Sequence, residues 1–298
     1  MKKSKISLER KGELIVLLEI VIVSISPLLI KSSDNLLPPI FFLSLSMSLA
    51  GLIFLGFLFF DKKLPELKSK KALPHMLGAT FFIVILFFSA KFFLGQKTSP
   101  GNLAVLGLCE TFFTFLFFGL LKLEKITLKR IFGAFLTLVS AALILLKSFS
   151  MQLGIYDLAF VCATSIPPLG NYFQKKAVFL VSTKTLLCFR CLVGGLTLLP
   201  LSFLLESNHL VNLNPEAVFI VLAQGVLVFA LSKFLFLESI RILDVSKVIA
   251  LGGVMPAFTF LFAFIFLGEE PSINQILGFL FGLAGILFLV DKEGKQEK

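Results

Sequence analysis

The chain reads as an all-α membrane protein, with ten transmembrane helices forming two inverted five-helix repeats. Three observations predict this class. Hydrophobic residues make up 57% of the 298-residue sequence and charged residues 15%, with a mean hydropathy of +0.98. Soluble domains sit nearer ~45–50% apolar and about 25% charged. The string Phe113-Thr114-Phe115-Leu116-Phe117 recurs letter for letter at Phe258-Thr259-Phe260-Leu261-Phe262, 145 residues on and so close to half the chain away. Finally, the Lys and Arg residues gather in alternate loops between apolar runs, as the positive-inside rule requires. A duplicated bundle of membrane helices is the common build of a transporter.

A span needs about 20 mostly apolar residues. Ten segments bounded by charge and proline qualify: 13–31, 38–60, 74–95, 100–121, 127–147, 154–174, 183–205, 215–237, 244–267 and 272–290. Proline opens many of them, at Pro38, Pro39, Pro74, Pro100, Pro215 and Pro271. There the missing N–H costs nothing. The first segment follows Met1-Lys2-Lys3-Ser4-Lys5 and imitates a secretory leader. Lys31-Ser32-Ser33-Asp34 follows it with no small-x-small cleavage site, so a retained helix is expected.

With the N-terminus in the cytoplasm, 22 Lys and Arg fall on the inner side and 4 (Lys31, Lys91, Lys97, Lys147) on the outer. That ratio places both termini inside. Five spans per half is an odd number, so the second copy enters the membrane from the opposite side. The halves, 1–149 and 150–298, are then related by a pseudo-two-fold axis in the membrane plane. The loop after the fourth segment carries Lys122 and Lys125. Its counterpart after the ninth reads Gly268-Glu269-Glu270-Pro271, with the charge reversed along with the side.

Four prolines fall inside segments: Pro27 in the first, Pro167 and Pro168 in the sixth, Pro256 in the ninth. Ser24-Ile25-Ser26-Pro27 and Thr164-Ser165-Ile166-Pro167-Pro168 occupy matching depths in the two halves. Broken helices at symmetric positions point to a midplane site, although prolines also shape ordinary helix packing. Ionisable residues within spans are the second pointer, being costly in hydrocarbon. Glu110 lies about ten residues into the fourth segment, roughly 15 Å deep, and Glu19 about six residues into the first, roughly 9 Å. Both are candidates for proton binding; the competing reading pairs Glu110 with Lys91 of the neighbouring helix. Arg190 and Lys233 each lie about six residues from a cytoplasmic end, where they either snorkel or hold a substrate carboxylate. Asn171, Tyr172, Gln174 and Gln224 offer hydrogen bonds to a polar substrate.

Other classes fit poorly. The net charge of +10 is spread over short loops rather than gathered on one face with stacking aromatics, which argues against nucleic acid. Cys109, Cys162, Cys188 and Cys191 all lie in apolar runs, and Cys188-Phe-Arg-Cys191 has no second pair. With His75 and His209 at helix ends or in loops, neither a metal site nor another cofactor is expected. There is no phosphate-binding glycine loop, so energy would come from a gradient. An integral membrane enzyme acting on lipid would need a nucleophile and base cluster that this sequence does not offer.

The segment Met255-Pro256-Ala257-Phe258-Thr259, then Leu267-Gly268-Glu269-Glu270-Pro271 and Ile276-Leu277-Gly278 with Gly282 and Gly285, resembles the drug/metabolite transporter superfamily in its ten-helix EamA-type branch. The first half is a weaker copy: Cys109-Glu110-Thr111 stands where Glu-Pro is frequent, and Leu123-Glu124 where Gly-Glu is usual. The resemblance covers residues 12–290 and implies a transporter of small metabolites, often an exporter of amino acids or related compounds. Glu19 also distantly resembles the proton-binding Glu of the small multidrug branch, which implies cation/proton antiport as an alternative. The expected partners are a small-molecule substrate and the lipid bilayer, in a monomer or weak dimer of the inner membrane. Alternating access would work on a cavity lined by the first, fourth, sixth and ninth spans.

Overall fold

The computed structural model describes residues 2–121, 127–145, 154–206, 214–243 and 245–289. The basic residues Lys122, Lys125 and Lys147, His209 and the tail 291–298 lie outside the described residues. In chain order the elements are α1 (Lys2–Val23), α2 (Ser26–Ser32), α3 (Pro39–Phe60), a short 3-10 turn (Leu64–Lys68), α4 (Leu73–Ala79), a π-helical stretch (Thr80–Phe88), α5 (Ser89–Gln96), α6 (Pro100–Leu106), α7 (Cys109–Leu120) and α8 (Leu128–Leu145). The second half follows as α9 (Ile155–Ala163), α10 (Pro167–Ala177), α11 (Thr183–Leu205), α12 (Pro215–Ala223), a second π-helical stretch (Gln224–Ser232), α13 (Lys233–Ile242), α14 (Val245–Leu251), a 3-10 turn (Gly252–Val254), α15 (Met255–Leu267) and α16 (Ile273–Leu289).

Among the described residues, seven helical passages are long and apolar enough to cross a membrane, and two shorter apolar helices, Ile131–Leu143 and Ile273–Phe288, accompany them. The sixth expected segment is not among these. It is divided at Thr164-Ser165-Ile166, where the two hydroxyls donate back to the carbonyls of Val161 (2.6 Å) and Cys162 (2.7 Å). Pro167 and Pro168 then start α10, as prolines do at first-turn positions. The eighth expected segment runs to Ile242, five residues beyond its expected end, and on this extension Glu238 accepts from the Thr183 hydroxyl. Pro200 lies inside α11 as a fifth interior proline. It stands on the exposed face, and the helix continues through it.

The interruptions recur in pairs. Ser24 and Thr164 mark turns 140 residues apart, the π-helical stretches begin 144 apart at Thr80 and Gln224, and the breaks at Gly107 and Gly252 are 145 apart. Pro27, Pro167 and Pro256 each lie at the start of the limb that follows a break. The packing is reciprocal as well. Helix α1 packs on the second π-stretch and α13, while α10 packs on α4 and the first π-stretch. Helix α3 lies along α11, and α8 along α16.

Small residues allow these close approaches. A Cβ placed on Gly285 would lie 2.6 Å from the Gly133 carbonyl oxygen and 2.9 Å from the Thr137 nitrogen, so α16 and α8 touch backbone to backbone. Gly195 and Gly51 do the same between α11 and α3. Large apolar side chains such as Phe60, Leu128 and Leu204 are more than 80% exposed, forming an outer surface suited to lipid rather than water.

Candidate functional site

A cavity of about 170 Å³ lies where the interrupted passages meet. The turn after α1 contributes Ser26 and Pro27, and the break between α6 and α7 contributes Gly107 and Leu108. Val248, Ile249, Gly252, Gly253 and Met255 line it across the break between α14 and α15. The third and eighth passages, beyond the first, fourth, sixth and ninth expected to line it, supply Phe87, Phe88, Lys91 and Gln224, Phe229, Lys233. The sixth passage contributes a single lining residue, Phe160. The third and eighth passages both carry a π-helical stretch just ahead of α5 and α13, and that winding has no signature in residue type.

Four ionisable groups line this small space: Glu19, Glu110, Lys91 and Lys233. Glu19 is buried on α1. Its Oε1 accepts from Lys233 Nζ at 3.0 Å and from Ser232 Oγ at 2.9 Å. Lys233 therefore does not snorkel; it turns inward to a carboxylate from the other half of the chain.

Glu110 stands in the first turn of α7, where the helix dipole favours a negative charge. Lys91 is not within ion-pair distance of it among the described residues. Its partner is Asn171, whose Nδ2 donates to Oε1 at 3.1 Å. Gln174, one turn along α10, donates to Asn171 Oδ1 at 2.8 Å and accepts in turn from Arg190 on α11. Arg190 is only 1% exposed, so it does not snorkel either. It forms the far end of a polar chain leading to Glu110.

Four candidates, Asn171, Tyr172, Gln174 and Arg190, lie off the cavity wall. Tyr172 packs edge-on against Phe117 and Phe173, with Lys176 over its ring at 4.3 Å. Asn171 and Arg190 reach the cavity only through Glu110. Gln224 does line it: its Nε2 donates to Ser26 Oγ at 3.2 Å, and its Oε1 has no partner among the described residues. The ninth passage is tied to the first, since Thr259 donates to the Ser24 carbonyl (3.2 Å) and Ser24 Oγ to that of Met255 (3.3 Å).

The EamA-like transporter family matches residues 10–146 and again residues 155–291. The chain belongs to the EamA-like transporter family. It is also 22% identical over 249 residues to an uncharacterized transporter of Archaeoglobus fulgidus, a match covering 82% of this chain and 85% of that protein. One solved crystal structure superposes with a TM-score of 0.73 over 94% of this chain and 96% of its own, at 15% identity, a likeness that shows the fold alone. This EamA chain is a multi-pass membrane protein of transporter type, and its charged cavity lies at the breaks in its helices.

Proposed function

We propose that this EamA chain is a secondary transporter of small metabolites, driven by protons and working by alternating access. Its ten spans form two inverted five-helix halves, 1–149 and 150–298, with both termini in the cytoplasm and the whole in the inner membrane. The halves rock about the cavity and expose it to each side in turn. The observation that carries this reading is the meeting of paired helix breaks around four intramembrane ionisable groups. Glu110 is the better coupling group. Its bonded partner is a neutral amide, so taking up a proton breaks no ion pair, whereas Glu19 would have to surrender Lys233. Amino acids and related compounds are the expected cargo, moved outward.

The test compares metabolites inside cells and in the medium, with and without the protein, at two external pH values. The solute whose distribution changes is then followed in variants. Glu110→Gln should abolish the pH dependence of its flux, and Glu19→Gln should reduce it less. If the double variant transports with unchanged pH dependence, proton coupling through these carboxylates is wrong.

A further inference from the structure

The cavity's charges are not all answered. Lys233 is neutralised by Glu19 at 3.0 Å. Glu110 connects to the buried Arg190 through three hydrogen bonds that all donate in one direction, from the guanidinium to Gln174, from Gln174 to Asn171, and from Asn171 to the carboxylate. The chemistry of the two ends dictates that direction, because a guanidinium only donates and an ionised carboxylate only accepts. Lys91 is left over. It lines the cavity and makes no hydrogen bond or ion pair among the described residues. The charged groups that face it are Lys233, Glu110 and Glu19, two of them already committed to one another. The same cavity is lined by Phe87, Phe88, Phe92, Phe160 and Phe229. An ammonium against such a wall is costly unless it is paired.

We infer that Lys91 is the anchor for one carboxylate, belonging to a small monoanionic ligand whose apolar body lies against the phenylalanines. The inference rests on reading this cavity as the transport site. Counted with Arg190, the site holds three cations (Lys91, Lys233, Arg190) against two carboxylates (Glu19, Glu110), so it carries one net positive charge and matches a ligand with one negative charge. The volume of about 170 Å³ is below the ~300–1,000 Å³ of sites for drug-sized ligands, which selects a compact molecule.

The test is thermal unfolding of the purified protein in detergent with the linear monocarboxylates from acetate to hexanoate, each beside its amide and its primary amine. Some members of the acid series should stabilise the protein saturably, while their amides and amines do not. Lys91→Met should weaken the apparent affinity for those acids about tenfold or more, as loss of a charge-assisted bond does. Lys91→Arg should retain part of it. Lys91→Gln replaces the Met variant if that protein fails to accumulate. The inference is overturned if no acid in the series stabilises, if the amines or amides serve as well, or if neutral variants at Lys91 bind the acids unchanged. Acid binding without any flux would count against the transport reading alone. Flux of another solute without acid binding would count against the anchor alone.

Discussion

Lys233→Met isolates the energetic role of the ion pair that joins the halves. Glu19 and Lys233 lie 3.0 Å apart with side-chain exposures of 8% and 16%. At an effective dielectric of ~20, two unit charges at that separation attract by about 5 kcal/mol. Removing the lysine leaves a buried carboxylate with only the Ser232 hydroxyl as donor, at 2.9 Å. Breaking a buried pair in this way costs about 3–5 kcal/mol. The Ser232 bond remains, so the low end, about 3 kcal/mol, is expected. Glu19→Gln should cost less, since a freed lysine can extend toward the interface. The double variant should return to within about 1 kcal/mol of the parent, because neither charge is then stranded. The assay is unfolding by SDS in mixed micelles, reported by a thiol-reactive dye on Cys109, Cys188 and Cys191, which are buried and free in the folded chain. A cost below about 1 kcal/mol for Lys233→Met, or single effects that simply add, would refute the reasoning.

Two further outcomes follow from packing and charge. Gly285→Ala drives a methyl into backbone atoms of α8 and should destabilise by about 1–3 kcal/mol, while Gly56→Ala on α3, where a Cβ meets nothing within 4 Å, should be neutral or gain up to about 1 kcal/mol from helix propensity; equal effects in the same SDS titration would contradict the α8–α16 contact. Glu66, in the turn between α3 and α4, is partly buried, which opposes ionisation, yet it accepts from Thr185 Oγ1 (2.6 Å) and the Ser182 N–H (2.8 Å) near Lys63, and its carboxyl is held below the ordinary value. A lowered carboxylate contributes stability that is complete above the unfolded value near ~4.3 and is lost as pH falls through the lower folded value. Glu66→Gln should therefore be less stable than the parent at neutral pH, with the two curves converging in acid; parallel curves would show that Glu66 contributes nothing.

Much of the architecture was legible because it rests on features a sequence carries openly. The repeated Phe-Thr-Phe-Leu-Phe string, the prolines that begin helices and the polar turns at Ser24 and Thr164 are local, and their positions survive folding. The breaks at Gly107 and Gly252 were within reach, since the aligned Leu106-Gly107 and Leu251-Gly252 pairs mark them. The π-helical stretches were not. Thr80–Phe88 and Gln224–Ser232 share hardly any residues beyond their apolar character, and a widened helix is a property of backbone hydrogen bonding rather than of composition. Pairing was equally hidden. Glu19 and Lys233 are 214 residues apart, and Glu110 turned from the nearby Lys91 to Asn171, because packing of α10 on α7 brings the amide within reach. Depth in a span pointed to Glu19 and Glu110, which line the cavity, but not to the groups each would meet.

The two π-helical stretches bear on how the site is aimed. Each ends just ahead of a cavity lysine: Phe88 precedes Lys91 by three residues, and Ser232 precedes Lys233 directly. In an α-helix each residue turns the chain by about 100°. A stretch wound wider than that sets a different heading for everything downstream of it. Rewinding either stretch by one residue would swing its lysine about a quarter of the way round the helix, out of the cavity. One positive charge in each half thus follows closely on the same uncommon winding, which sets the direction it faces.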